Sequence, residues 1–394
     1  MGALQRSSHI PLFSIILPTY GVEPYIAQAL TCLQNQTYSD FEVLVVDDAS
    51  PDQSVAIAQH FADQDARIRI IHHADNQGLS AARNSGISFA KGRYITFFDP
   101  DDTYEPQLLE KVAESLDRQR AQIILFGHTE DVYNEAGEIT QSLAYPVPVL
   151  PLEESPAESF VSSFEESPAE SPVASVMTST AYEYQSPEAF HSMVLTWEKN
   201  IHYGYAWNKF YDLAFIKEYR LKFKNNPLIE DLEFNVEAFS CAQTVNVVSE
   251  PLYHYAKREQ GNLTNKFEPC YFELHQRRIQ LLVDQQKAWG LWNDESRAAL
   301  GSLYARYIIS ALERNNDPRA HMLGSDKKAF VGTLYESKLF NELIPYAQAS
   351  SPFLNAAYRP LKHKSIAGAL AIGKTVHVAK QSASGALQKI KAKR

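Results

Sequence analysis

Between residues 12 and 127 one pattern repeats: a short apolar run, a polar break, an amphipathic stretch and another polar break. Phe13 to Leu17 is the first apolar run, and Glu23 to Gln34 follows as an amphipathic stretch. Phe41 to Val46 is apolar and β-branched, Ser54 to Phe61 is helical in pattern, and Ile68 to Ile71 is strand-like. Leu79 to Ala90, ended by Gly92, reads as a helix, Tyr94 to Phe98 as a strand, Glu105 to Asp117 as a helix and Ile123 to Phe126 as a strand. Continuous apolar strands alternating with helices predict an α/β fold: a mostly parallel central sheet with helices on both faces.

The rhythm stops near residue 130. No Lys or Arg lies between Arg120 and Lys199, and the string EESPAES at 153–159 recurs at 165–171. Residues 131–199 therefore read as an acidic, Pro/Ser/Glu-rich insertion of flexible character. Globular character returns over 200–265. Trp207, Phe210, Tyr211, Phe215, Tyr219 and Phe223 form an aromatic stretch that reads as helix then loop. Ile229 to Cys241 reads as a helix opening on Glu230-Asp231, and Val245 to Val248 as a strand. Residues 266–350 are helical in pattern, and 351–394 form a basic tail.

Composition adds little to this picture, but charge adds more. The chain of 394 residues is 45% hydrophobic, 11% aromatic and 21% charged, as soluble globular proteins are. A net charge of −10 argues against general nucleic-acid binding. Beyond Glu342 there are nine Lys or Arg and no acid, which leaves −19 for residues 1–342. Ile366, Leu370, Ile372, Val376, Leu387 and Ile390 recur among those lysines at partly helical spacing. Such a tail can lie on an anionic membrane face. Gly368, Gly373 and Gly385 weaken a helix, so a frayed, solvated tail is the equal alternative. The three cysteines, Cys32, Cys241 and Cys270, form no C-x-x-C pair and predict no disulfide framework or zinc knuckle. The first residues make a poor signal peptide, and no apolar run reaches the ~20 residues of a membrane span. A cytoplasmic protein is expected, peripheral at the inner membrane face if the tail binds lipid.

In parallel sheets ligands bind beyond the carboxyl ends of the strands. Those ends carry Pro18-Thr19-Tyr20, then Asp47-Asp48-Ala49-Ser50, then Asp75-Asn76 with Gly78, then Asp99-Pro100-Asp101-Asp102. Three carboxylates in four positions repel one another unless water or a cation offsets them. Alone, the last string is as well explained by a solvated turn. No Walker loop, G-x-G-x-x-G string or serine-hydrolase elbow is present, which weakens ATPase, dehydrogenase and hydrolase readings.

Taken in order, ILPTYGVE (16–23), QNQTY (34–38), VDDAS (46–50), NQG with ARNSG (76–78, 82–86) and DPDD (99–102) resemble the nucleotide-binding half of a family 2 glycosyltransferase of GT-A fold. WNK (207–209), Glu230-Asp231 and PLYHY (251–255) resemble its acceptor half. The resemblance covers about 1–130 and 200–265. It implies a nucleotide-sugar-binding half at 1–130 and an acceptor-binding half at 200–265, and says little about the rest of the chain. Gly21 departs from the family, which more often has Asn there.

The same resemblance assigns roles. Asp102 is expected as the direct ligand of Mn²⁺ or Mg²⁺ with Asp99 in support, and Asp101 as a ribose or metal-side contact. A hard cation takes oxygen ligands and stabilises the departing diphosphate. Asp48 is expected to accept from the base, with Pro18, Tyr20 and Glu23 lining the nucleoside pocket. An acceptor-only carboxylate reads an imide N–H, which uracil and thymine present and adenine lacks. The competing role for Asp48 is to start a turn and cap the helix after Pro51. Arg83 suits the diphosphate, or else pairs with a surface acid. Asp231 is implied as the catalytic base, although acids also favour helix N-termini.

The resulting expectation is a metal-dependent inverting transferase. It would move sugar from a nucleoside diphosphate, UDP foremost, to a hydroxyl of a glycan or lipid-linked glycan in bacterial surface polysaccharide synthesis. The alternative is a catalytically inactive binding or scaffolding subunit of the same fold.

Overall fold

The computed structural model describes residues 9–134, 136–149, 181–226, 228–258 and 267–391. Residues 150–180 of the Pro/Ser/Glu-rich stretch, with both EESPAES strings, fall outside them. The described chain forms two compact units, one from residues 9–149 and 181–258 and one from 267–391.

The first unit is built on one sheet. Its strands are β1 (Phe13–Thr19), β2 (Phe41–Asp47), β3 (Ile68–His72), β4 (Tyr94–Phe97), β5 (Thr103–Tyr104), β6 (Ile123–Tyr133), β7 (Ile139–Tyr145), β8 (Ala181–Tyr184), β9 (Lys209–Asp212) and β10 (Val245–Arg258). The path across it runs β3-β2-β1-β4-β9-β6-β10-β5, with β7 on β6 and β8 on β10. β1 to β4 are parallel neighbours, and β10 is parallel to β6. β9 runs antiparallel to both β4 and β6, so the long strands on either side of it share one direction. Every residue of β1 and β2 is buried, because helices cover both faces. These helices are α1 (Ile26–Gln34), α2 (Ser54–Gln64), α3 (Leu79–Phe89) and α4 (Leu108–Arg118). Gly86 lets α3 lie close on β1, since a Cβ there would run into Ile16.

The aromatic stretch differs from the helix-then-loop expectation. It enters the sheet as β9 and then forms a short helix, α7 (Leu213–Glu218). Buried on both sides between β4 and β6, β9 shows no two-residue alternation for a sequence reading to find. The insertion expected over 131–199 is also narrower. β6 runs on to Tyr133, and β7, β8, α5 (Pro187–His191) and α6 (Val194–Lys199) are ordered parts of the unit. Trp197 is fully buried and donates from its indole to the Pro148 carbonyl at 3.0 Å. α8 (Glu230–Cys241) completes the unit.

The second unit is helical: α9 (Tyr271–Ala288), α10 (Asp294–Arg314), α11 (Gly324–Glu336), α12 (Lys338–Leu343), α13 (Pro352–Lys362) and α14 (Ile366–Lys391). The expected basic tail is thus two helices. Its glycines serve close packing rather than fraying: a Cβ on Gly373 would meet the Leu312 carbonyl oxygen of α10 at 2.6 Å. Ala369 is buried, Leu370, Ile372 and Val376 are part-buried, and Glu313 of α10 pairs with His377 and Lys380 at 3.0 Å each. Of the apolar stripe that suggested a membrane-lying helix, Leu370, Ile372 and Val376 are thus partly spent on the bundle, while Ile366 stays 40% exposed. Leu387, Ile390 and Gly385 lie beyond the described side chains. Among the described residues no helix is long and apolar enough to cross a membrane.

Candidate active site

β1, β2 and β4 are parallel, so their carboxyl ends open on one edge. There Thr19 sits beside Asp47, and Asp47 beside His72. β4 stops at Phe97, and the chain turns through Phe98 and the DPDD string before β5. Phe98 stacks on Tyr104 with ring centroids 4.4 Å apart, which seats the turn on the core.

The three acids of this turn are not equivalent. Asp102 is 2% exposed. Its carboxylate accepts from the Tyr253 hydroxyl at 2.7 Å and from the Ala256 N–H at 2.8 Å. Burial, with Asp101 and Asp99 nearby, pushes its pKa well above the usual range. The Tyr253 hydroxyl also accepts the Asp99 N–H at 3.2 Å, and Tyr104 donates to the Asp99 carbonyl at 2.8 Å. The side chains of Asp99 and Asp101 keep 26% and 36% of their surface open. Burial raises Asp99 to about 7; Arg83 opposes the rise, and Asp101, Asp231 and Glu230 add to it. Burial also raises Asp101, against the pull of Arg258. The expectation that Asp102 is the direct cation ligand meets a carboxylate already turned inward, with both oxygens engaged by β10. Asp99 and Asp101 are the acids that face outward.

On the nucleoside side, Pro18 is buried in β1 and Tyr20 is 51% exposed. Glu23 accepts the Gln53 N–H at 3.0 Å while its own N–H donates to Asp52 at 3.0 Å, so the loops after β1 and β2 interlock. Asp48 is 3% exposed and holds a third loop: it accepts from His73 at 2.7 Å, the Gln77 N–H at 2.9 Å and the Gly78 N–H at 2.7 Å. It does not cap α2. The first helical N–H, that of Ser54, donates instead to Asp52 at 3.1 Å. Gly78 takes φ 90° as it turns the chain into α3, a conformation that suits glycine. His73, to which no role attaches from sequence, braces Asp48 and reaches Ser85 of α3 at 2.8 Å.

The deepest contact joins the two halves of the unit. Arg83 of α3 is 2% exposed, not a surface arginine. One of its Nη atoms pairs with Asp231 at the start of α8, and the other lies 3.5 Å from Asp99. Burial alone would lower its pKa, but Asp231 and Asp99 outweigh it and raise it. The side chain lies over the Phe223 ring at 5.0 Å. Asn84, one position on, clamps Phe223 through its N–H and its carbonyl, each at 2.9 Å. Glu230 is raised to about 7 by burial and by Asp231, and one of its oxygens is buried without a hydrogen-bond partner.

Asp231 also accepts the Ala206 N–H at 2.9 Å, in a loop that polar side chains hold from beneath. Fully buried Lys209 donates to the His202 carbonyl and to Asn208, each at 2.7 Å. Asn235, one helical turn after Asp231, donates to the Tyr203 and Tyr205 carbonyls at 2.8 and 2.9 Å. Sequence reasoning quoted WNK and ARNSG without finding these supports, and it passed over Asn235, whose i+4 spacing from Asp231 was the available signal. His254 bridges Asp131 at 2.8 Å and Glu105 at 2.9 Å. Burial pulls its pKa down, but those two partners prevail and raise it.

Residues 14–172 match the Glycosyl transferase family 2. The uncharacterized glycosyltransferase EpsJ of Bacillus subtilis (strain 168) is 31% identical over 72% of this chain and 72% of its own length. The minor teichoic acid biosynthesis protein GgaB of the same organism is 36% identical over 28% of this chain and 13% of its own. Among solved structures, S. aureus TarS 1–349 in complex with UDP-GlcNAc aligns over 93% of this chain and 92% of its own, with a TM-score of 0.60 at 18% identity, a likeness of fold. The motif order, the shared edge of the strands and the EpsJ match agree: this chain is a glycosyltransferase and belongs to family 2.

Proposed function

We propose that this chain is an inverting transferase that moves a sugar from a UDP-sugar to a hydroxyl of a glycan or lipid-linked glycan in bacterial surface polysaccharide assembly. The observation that carries the reading is Arg83, which brings Asp99 of the donor turn and Asp231 of the acceptor half to one guanidinium. Solved TarS with UDP-GlcNAc supports the donor class, and the polymer named for GgaB supports the acceptor class.

In this reading the nucleoside lies over the ends of β1 and β2, with Tyr20 against the base and Pro18, Glu23 and Asp48 shaping the pocket. Asp101, with Asp99, would hold Mn²⁺ or Mg²⁺. Their part-open carboxylates fit a hard cation, which takes oxygen ligands. A cation bound there would offset charge on the departing diphosphate. Asp102 is reassigned from ligand to anchor. Asp231 takes the proton of the acceptor hydroxyl as that oxygen attacks the anomeric carbon, and one direct displacement inverts it. A second reading gives the base to Glu230, favoured by its pKa of about 7 and its unpartnered oxygen. An inactive binding subunit would need none of this pairing.

With a lipid-linked acceptor, the work would lie at the cytoplasmic membrane face. The exposed Arg359, Lys362, Lys364 and Lys374 support contact with anionic lipid there.

Calorimetric titration with UDP, GDP, CDP and dTDP, each with Mn²⁺ and with EDTA, tests the donor site. UDP binding that needs Mn²⁺ and is lost in Asp101→Asn is expected; tight binding indifferent to metal would overturn the cation assignment. Release of UDP from UDP-sugars by Asp231→Asn and Glu230→Gln then separates the two bases and the inactive alternative.

A further inference from the structure

The turn that carries Asp99 to Asp102 is tied to β10 at two points, and the two differ in kind. The inner tie is Asp102, buried and doubly bonded to Tyr253 and Ala256. The outer tie is Arg258, the last residue of β10. Its Nη2 donates to the Asp101 carbonyl at 2.7 Å, while Nη1 reaches the Asp101 carboxylate only at 3.3 Å. The guanidinium lies over two aromatic rings, 4.2 Å from the Tyr25 centroid and 5.1 Å from that of Tyr133. Two rings and a carbonyl thus hold Arg258 in place without the carboxylate. The carboxylate contact is long, and 36% of the Asp101 side chain stays open.

We propose that Arg258 is an exchangeable counter-cation for Asp101. It neutralises that carboxylate before the donor arrives, gives it up to the donor's divalent cation, and turns the vacated guanidinium edge to the donor's diphosphate. No covalent bond changes; one ion pair is exchanged for two. The chemistry suits the residue, since a planar guanidinium pairs with carboxylate and with phosphate oxygens alike. The exchange links cation entry to the carboxyl end of β10, because the same side chain is held by both. This inference rests on the assignment of the cation to Asp101 and Asp99.

The exchange predicts effects of opposite sign, which a plain phosphate-binding arginine does not. In Arg258→Gln the competitor of the cation is gone, so Mn²⁺ alone should bind about three- to fivefold tighter, the worth of a part-exposed ion pair. UDP in the presence of Mn²⁺ should bind more weakly than to the wild type. Both are read by calorimetry on the full chain, with Mn²⁺ also followed by electron paramagnetic resonance. Arg118→Gln removes the same charge at the far end of α4, where Arg118 pairs with Glu183 at 3.1 Å, and controls for net charge. Mn²⁺ binding that is unchanged or weaker in Arg258→Gln, or equally tightened in Arg118→Gln, overturns the exchange while leaving the cation site standing. Absence of Mn²⁺ binding in the wild type overturns both.

Discussion

Replacing Arg83 by Met removes the charge at the centre of the site and keeps a side chain of similar length. The guanidinium is 2% exposed and faces Asp231 and Asp99, whose side chains are 15% and 26% exposed. Without it, two part-buried carboxylates confront each other and Glu230. Removing one partner of a buried ion pair costs about 3–5 kcal/mol. Water reaches both acids, so the lower end, about 3 kcal/mol, is expected. That is a large share of a total stability of about 5–15 kcal/mol. The cost comes from stranded charge, so Asp231→Asn added to Arg83→Met should recover about 1–2 kcal/mol. It should also shrink as pH falls towards the Asp99 pKa of about 7, because Arg83 lowers that pKa and without it the acid takes up its proton at higher pH. Urea denaturation of the single and double variants, at about pH 8 and about pH 6, reads all three effects. A loss below about 1 kcal/mol in Arg83→Met, with no recovery in the double variant, would show that the guanidinium does not hold the two acids together.

Glu230→Gln tests the burial of that carboxyl itself. Glu230 is raised to about 7 in the folded chain, so the fold holds its proton more tightly than the unfolded chain does. The stability this contributes is present below the unfolded pKa of ~4.5 and is lost as pH rises through about 7. Glutamine keeps the neutral form, so it should raise stability by about 1–3 kcal/mol at about pH 8 and by little at about pH 4.5. Thermal melts that show the same gain at both would count against the shift. Gly373→Val puts a side chain against the Leu312 carbonyl, where a Cβ would stand 2.6 Å away. A loss of about 1–3 kcal/mol in the helical unit is expected, with UDP binding unchanged. An undiminished melting temperature would mean that α14 is not seated on α10.

Much of this was legible in the pattern of residues. The strands from Phe13, Phe41, Ile68, Tyr94 and Ile123 and the helices between them were readable because continuous apolar runs and amphipathic stretches are local signals. The acids at the strand ends were legible for the same reason: strand direction in a parallel sheet decides which loops share an edge. β9 was not, because a short strand buried on both sides leaves no alternation. The residues beyond 351 stayed open between a helix and a frayed tail because glycine weakens an isolated helix, while Gly373 gains from what it touches.

Along the chain, then, the residues determined the elements, their order and the family of chemistry. What they could not determine was the orientation of each acid. Asp101 and Asp102 are neighbours of identical chemistry, yet one stays 36% exposed and the other bonds the Ala256 N–H, 154 positions away. Arg83 is part of a helix by its local pattern, and it becomes the link between donor and acceptor halves through Asp231, 148 positions on. A carboxylate goes where its charge is compensated, and that depends on which distant donors and cations the folded chain brings to it.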